Sequence, residues 1–231
     1  MLKLFLLPLL FIFGCAEVNL ISTGRDIGKV ALDLPRHNNL VYVNRNSINE
    51  DFFQAVENTL DNGFVYIILS STGSPAANLI STFTGQEYAH TSLAFDEDLK
   101  TIVSYNGGNG ISEPGMNQEI VEYFHQKEDA NLIVYRLQAT RREKKIILNE
   151  VKKINETGSS YNILGLFLPF KIRENTMYCS QFVYTMLQAA GLDYFEIQPG
   201  KVQPIDFVEK DQQGKLEFCR KIVLKDLAEE N

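Results

Sequence analysis

Cys179 lies in the stretch TMYCSQFVYTMLQAAG, where an extended run gives way to apolar residues at helical spacing. A helix that begins here directs its free N–H groups and the positive end of its dipole at the sulfur, which favours the thiolate form. The thiolate is the nucleophilic form of cysteine. Cys179 is therefore either a nucleophile or a small buried hydrophobic residue, as free cysteines often are.

A cysteine nucleophile at neutral pH is helped by a nearby base, usually histidine. The chain has 3 histidines. His37 lies in an irregular N-terminal arm, and His125 follows EYF in an acidic segment that we expect at the surface. His90 opens the predicted strand HTSLAF, where the sheet would fix its side chain. His90 is the candidate base, and the alternative is a histidine that is merely hydrogen-bonded at a strand end.

A third polar group usually orients such a base, and the next predicted strand, TIVSYN, offers two. Side chains alternate along a strand, so Ser104 and Asn106 share one face and Tyr105 points to the other. Ser104 lies deeper in the strand, whereas Asn106 borders the turn NGGNG. If His90 uses the same face, either residue is able to hold its second ring nitrogen.

Three helices are predicted around these residues. Ser47 and Glu50 have capping-box spacing before INEDFFQAVENTL, and that helix should stop at Asn62-Gly63. The segment RREKKIILNEVKKINETG has helical periodicity and ends at Gly158. The third helix, 180–190, follows Cys179 and ends at Gly191. A further short helix is predicted at 76–83.

The predicted strands are rich in β-branched and aromatic residues: LVYV at 40–43, FVYIIL, AHTSLAF, TIVSYN, NLIVYRL and EFCRKIVL. The polar turn DEDLK joins AHTSLAF and TIVSYN in a hairpin. A hairpin-rich sheet with segregated helices predicts an α+β fold.

The N-terminus has the features of an export signal. One lysine precedes an apolar run at 4–13, which is too short to span a bilayer but suits a signal peptide. The junction at 12–15 resembles a bacterial lipobox, although Phe13 is bulkier than the usual small residue. We predict a leader at 1–15 with lipidation at Cys15, a tether and arm at 16–46, and one domain at 47–231. A secreted protein and an uncleaved anchor are the alternatives.

Composition and motifs exclude several functions. The net charge of −7, without a Lys/Arg-rich stripe, argues against nucleic acid. The turn NGGNG lacks the Gly-Lys-Ser/Thr ending of a phosphate loop, and no His/Cys pairs have zinc-ligand spacing. We therefore predict neither a metal nor a cofactor. A disulfide between Cys179 and Cys219 is possible in an exported protein and would abolish the nucleophile.

The order of motifs resembles the permuted NlpC/P60 group of the papain-like superfamily. GQEYAHTSLAFD precedes YCSQFVYTMLQAAGL, with SSTGSPAANLISTFTG before the histidine, SSYNILGL before the cysteine and VQPIDFVE after the helix. In that group the histidine strand precedes the cysteine helix, which reverses the usual papain order. The resemblance covers 64–209 and implies a circularly permuted papain-like fold, with helices packed on an antiparallel sheet.

The resemblance implies that Cys179 is the nucleophile and His90 the base. The family's third polar residue comes from the strand after the histidine strand, which points to Ser104. Many relatives carry a glutamate or a second histidine there. Serine is a weaker orienter, so either Asn106 takes this role or the Cys-His pair works with less help.

The resemblance also implies residues that contact the substrate. Tyr161, in YNILG, falls where the family places an aromatic residue near the cleft, and its alternative role is that of a core tyrosine. Ser180 follows the cysteine as in relatives with the motif CS[EQ]F, and Asn106 borders the same cleft. The backbone N–H of Cys179 is a natural oxyanion donor because it lies at a helix start.

Three functions remain open from the sequence. The first is a cell-envelope thiol hydrolase that cleaves an amide bond, with peptidoglycan peptides as the expected substrate and the membrane as an N-terminal attachment. The second is lipid ester hydrolysis or acyl transfer, if the run NILGLFLPF at 162–170 is exposed beside the cleft. The third is a non-catalytic envelope binding domain, which the serine at position 104 motivates.

Overall fold

The computed structural model describes residues 42, 44–71, 87–108, 112–121, 130–162, 165 and 174–224. The predictions for the leader and Cys15, for His37 and His125, and for the helix at 76–83 lie outside these residues. Most of the predicted strand at 40–43 does so too. Within the described part of the chain, no helix is long and apolar enough to cross a membrane.

A six-stranded antiparallel sheet forms the centre of the fold, in the order β4-β3-β2-β1-β5-β8. Its strands are β1 Phe64–Ser71, β2 His90–Ala94, β3 Ile102–Asn106, β4 Gly115–Glu119, β5 Asn131–Gln138 and β8 Leu216–Val223. A separate short parallel pair joins β6 Ser160–Tyr161 to β7 Thr176–Met177. The predicted hairpin is confirmed, because β2 and β3 pair in antiparallel register with Leu93 opposite Val103.

Within the described residues, four α-helices accompany the sheet: α1 Glu50–Thr59, α2 Arg141–Thr157, α3 Cys179–Ala190 and α4 Asp206–Glu209. Helix α3 packs on β2 and β3 and also contacts α2. The predicted α+β class is therefore confirmed at this level.

Side chains alternate between the two faces of the sheet and separate the apolar residues into two clusters. On one face, Leu93, Val103 and Tyr105 belong to a cluster that contains α3 residues such as Phe182. On the other face, Tyr66, Ile68, Ala94, Ile102, Leu132 and Val134 form a second cluster. The packing against Leu93 and Val103 places α3 beside the strand that carries His90.

The helix starts differ in part from the predictions. Helix α1 is capped by Asn49, whose Oδ1 accepts a hydrogen bond from the Phe52 N–H at 3.0 Å, so the predicted capping box of Ser47 and Glu50 is wrong. The Ser47 hydroxyl instead donates to the Met116 carbonyl at 2.8 Å. The spacing of Ser47 in the sequence is compatible with a helix cap and with a contact elsewhere, and only the tertiary structure decides between the two.

Strand β4 is absent from the sequence predictions. Its residues GMNQE include no β-branched or aromatic side chain, so strand propensity is low. The strand forms because its backbone pairs with β3 over five residues, from Ile102–Glu119 to Asn106–Gly115. This strand carries the acidic residue of the candidate site.

Candidate active site

Cys179 is the first residue of α3 and follows directly after Tyr178, which separates the helix from β7. The predicted helix therefore begins one residue earlier than expected. Tyr178 caps the helix with no side-chain hydrogen bond, and the first N–H groups of a helix have no partner within it. The partial positive charge of this helix end accordingly acts on the sulfur. Cys179 itself is 1% exposed.

His90, the first residue of β2, meets the sulfur of Cys179 in a side-chain hydrogen bond. Its Nε2 lies 3.0 Å from one carboxylate oxygen of Glu119 and 3.2 Å from the other. An imidazole has two ring nitrogens, so a carboxylate on Nε2 leaves Nδ1 for the thiol. The structure thus brings together the two residues that the sequence identified as nucleophile and base.

Glu119 is the residue that the sequence analysis missed. It ends β4, and its side chain is 9% exposed. Besides the contacts with His90, its carboxylate accepts hydrogen bonds from the Ser92 hydroxyl at 2.5 Å and from Asn106 Nδ2 at 3.0 Å. A buried carboxylate with this number of donors is held in one orientation.

His90 and Glu119 each stabilise the charged form of the other. Burial alone would lower the pKa of His90, but the Glu119 carboxylate and the Cys179 sulfur outweigh it and hold this pKa well above its ordinary value. Burial alone would raise the pKa of Glu119, but His90 and the donors Ser92 and Asn106 hold it below its ordinary value. Glu119 is therefore ionised and His90 protonated over a wide pH range.

Ser104, the predicted orienting residue, has a backbone group as its hydrogen-bond partner. Its hydroxyl donates to the backbone carbonyl of Thr91 at 2.7 Å, and the residue is fully buried within the sheet. Glu119 contacts the imidazole from the next strand, β4, because a glutamate side chain is long enough to reach it. Asn106, the alternative orienter, acts on the Glu119 carboxylate.

Tyr161 and Ser180 flank the nucleophile in different ways. Tyr161 is 5% exposed; burial raises its pKa well above the ordinary value, and the nearby Cys179, Tyr178 and Glu119 add to this effect. Tyr161 is thus both close to the site and part of the core cluster. The Ser180 hydroxyl donates to the Val202 carbonyl at 2.6 Å and is used within the fold.

The two cysteines among the described residues are free thiols, so the alternative of a Cys179–Cys219 disulfide is not observed. Cys219 packs against the apolar cluster on the sheet face opposite α3. Of the run at 162–170, the structure describes Asn162 and Gly165 only, so its predicted exposure lies outside the described residues.

Comparison of the chain with protein-family models, with curated proteins and with solved structures finds no match in any of the three. The functional argument therefore depends on the geometry. A thiol that contacts an imidazole, which in turn contacts a carboxylate, is the arrangement that activates a cysteine for attack on a carbonyl.

Proposed function

We propose that this protein is a cell-envelope thiol hydrolase of the permuted NlpC/P60 type, which cleaves an amide bond. Cys179 is the nucleophile, His90 the general base and Glu119 the residue that orients the base. The observation that carries the proposal is the position of one imidazole between a sulfur at a helix N-terminus and a buried carboxylate.

The reaction proceeds in two halves. In the resting site the proton of the Cys179 thiol already lies on His90, and the thiolate sulfur attacks the carbonyl carbon of the substrate. The carbonyl oxygen becomes an oxyanion, for which the backbone N–H at the start of α3 is a fixed donor. His90 then passes its proton to the leaving amine as the C–N bond breaks, and a thioester remains on Cys179.

Water completes the second half. His90, now neutral, removes a proton from a water molecule that attacks the thioester carbonyl. The C–S bond breaks, the acid product leaves, and the sulfur departs as a thiolate beside the protonated His90, which restores the resting site. Throughout both halves Glu119 holds Nε2 and balances the positive charge that the ring acquires.

The topology is consistent with the permuted family. The histidine strand β2 precedes the cysteine helix α3 in the chain, and this helix packs on that strand. The glutamate agrees with the family's third residue in type, although it comes from β4 and not from β3. It supports a catalytic site over the alternative of a non-catalytic binding domain, which the serine at position 104 had motivated.

The expected substrate is a peptide-like amide, with peptidoglycan peptides first among the candidates. This expectation depends on the predicted export signal and on the resemblance. No contact in the described residues favours a lipid ester over an amide.

The first experiment measures the alkylation rate of each cysteine from pH 4 to 10 by mass spectrometry, with iodoacetamide on the chain that begins at Ala16. We expect Cys179 to react rapidly at pH 6 and this reactivity to be lost in His90→Gln. Cys219 serves as the internal control within each sample. Slow and equal reaction of both cysteines, in a correctly folded protein, would contradict the proposal.

A substrate screen follows with purified peptidoglycan fragments, comparing wild type with Cys179→Ser. Release of a new amino terminus by wild type alone supports amide hydrolysis. Rapid alkylation without cleavage of any peptide, but with cleavage of an acyl ester, would keep the nucleophile and replace the substrate class.

A further inference from the structure

Three asparagines form a continuous hydrogen-bonded chain that ends on the Glu119 carboxylate. Asn106 Nδ2 donates to Glu119 Oε1 at 3.0 Å, and Asn117 Nδ2 donates to Asn106 Oδ1 at 3.0 Å. Asn44 Nδ2 donates in turn to Asn117 Oδ1 at 3.1 Å. The chain therefore connects the segment before α1 with the candidate site.

Backbone groups fix the direction of each amide in this chain. The Gly108 N–H donates to Asn106 Oδ1 at 3.1 Å, which identifies that atom as the oxygen. Asn117 Nδ2 also faces the carbonyls of Glu113 and Gly115, and Asn44 Nδ2 also faces those of Glu113 and Met116. Carbonyls accept only, so these atoms must be the NH₂ groups.

All three amides consequently donate toward Glu119. Aligned hydrogen bonds polarise one another, and each N–H in such a chain becomes a better donor to the next acceptor. The acceptor at the end is a buried carboxylate, whose charged form depends on its donors. The direction of the chain thus favours negative charge on Glu119.

The three hydrogen-bonded asparagines are also held firmly in place by the surrounding fold. Asn44 and Asn117 are each 3% exposed. The backbone of Asn44 forms an isolated bridge with Ser159, whose hydroxyl accepts the Met116 N–H at 2.9 Å. At Gly115, where φ is +143°, an added Cβ would lie 2.6 Å from the Ser159 hydroxyl and 3.1 Å from the Asn44 Cβ. This close approach needs a glycine.

We infer that Asn106, Asn117 and Asn44 are positioning residues that hold the Glu119 carboxylate charged and directed at His90. The inference deepens the proposed function and rests on it for its catalytic meaning. It assigns a role in the site to Asn44, a residue from the predicted tether and arm at 16–46. It also predicts a graded effect, which is largest at Asn106 and smallest at Asn44.

The test uses Asn106→Ala, Asn117→Ala and Asn44→Ala with two readouts that need no substrate. The first is the titration of the Glu119 side-chain carboxyl carbon by NMR, assigned with Glu119→Gln. The second is the alkylation rate of Cys179 at pH 5. The titratable groups that act on the carboxylate in this titration are His90 and Tyr161, and Cys179 acts on His90 in turn.

We expect the pKa of Glu119 to rise in all three variants, because each removes support for the charged form. The alkylation rate of Cys179 at pH 5 should fall about threefold to tenfold in Asn117→Ala, on the basis of one lost link in a polarised chain. The decrease should be larger in Asn106→Ala and smaller in Asn44→Ala.

The matched control is Asn155→Ala. Asn155 is 7% exposed, and its amide exchanges two hydrogen bonds with the backbone of Ile48 in the same N-terminal segment, yet it lies outside the chain of asparagines. This variant should lose stability without a change in the Glu119 titration. An equal change in Asn155→Ala, or an unchanged titration in a folded Asn117→Ala, would overturn the inference.

The two proposals fail in different ways. If His90→Gln leaves the alkylation of Cys179 unchanged, the proposed function is wrong, whatever the asparagines do. If His90→Gln abolishes rapid alkylation but all three asparagine variants titrate like wild type, the positioning role alone is wrong.

Discussion

The two free thiols of the described structure, Cys179 and Cys219, have contrasting surroundings. Cys179 begins a helix and contacts a histidine that a carboxylate holds, and the His90 and Glu119 side chains are only 12% and 9% exposed. Cys219 lies in the edge strand β8, where its sulfur makes one weak contact of 3.7 Å with the Glu217 carbonyl. Burial raises the pKa of Cys219 above its ordinary value.

The difference teaches that exposure alone does not make a cysteine reactive. Cys219 is the more accessible of the two, but within the described part of the chain it has neither a histidine nor a helix N-terminus beside its sulfur. Cys179 is less accessible and has both. Reactivity depends on the stabilisation of the thiolate, so the buried thiol is the candidate nucleophile.

The largest expected effect separates the two cysteines by substitution. Cys179→Ser should reduce amide hydrolysis at least about 10³-fold, because a serine hydroxyl in this site lacks the thiolate that the mechanism uses. Cys219→Ser should keep wild-type turnover. The measurement is the steady-state rate on a peptide that wild type cleaves, and equal loss in both variants would remove the distinction.

A smaller effect is expected from Glu119→Gln. The amide keeps the shape of the side chain but cannot balance a protonated imidazole, so the pKa of His90 should fall. The ratio of the alkylation rates of Cys179 and Cys219 at pH 6 should decrease about 10-fold to 100-fold, the range for loss of a hydrogen bond to a charged group. His90 titration by NMR reports the cause directly. An unchanged ratio would mean that Glu119 has no part in activating the thiol.

The ion pair of His90 and Glu119 also predicts how stability depends on pH. The folded pKa of His90 is raised, so its contribution is complete below about 6.5 and is lost as the pH rises through the folded value. The folded pKa of Glu119 is lowered, so its contribution is complete above about 4.3 and is lost as the pH falls through the folded value.

Wild type should therefore exceed His90→Gln in stability most strongly between about pH 4.3 and 6.5. The measurement is urea unfolding of both proteins across pH 4 to 9, with Cys219→Ser as a control whose difference from wild type stays flat. A difference between wild type and His90→Gln that grows above pH 8 would have the wrong sign for this pair.

The smallest effect is expected from Ser104→Ala. Loss of its hydrogen bond to the Thr91 carbonyl should cost about 1 kcal/mol of unfolding free energy. The alkylation rate of Cys179 should stay within about twofold of wild type, since the Ser104 hydroxyl is used within the sheet. A loss as large as that of Glu119→Gln would return Ser104 to the orienting role.

Much of the fold was predictable because it depends on local pattern. The strands β1, β2, β3, β5 and β8 and the helices α1, α2 and α3 carry strong periodicity or β-branched runs, and all of them were predicted within a few residues. Gly158 and Gly191 end their helices at φ of +98° and +72°, conformations that favour glycine. Such signals act over a few residues and can be seen in one sequence.

The pairing of Cys179 with His90 was also predictable, since few histidines compete for the role and one of them opens a strand. The carboxylate was not. Glu119 ends a strand of weak propensity that forms only because β3 offers its edge, and a local window contains nothing that marks it.

The sequence by itself thus determined most of the helices and strands, the α+β class and the identity of the candidate nucleophile and base. Tertiary structure alone decided which polar side chain holds the base and how Asn44 reaches that side chain through Asn117 and Asn106. The physical reason is distance along the chain. Periodicity and capping are local interactions, whereas the hydrogen bonds of the site join residues that only the register of the sheet brings together.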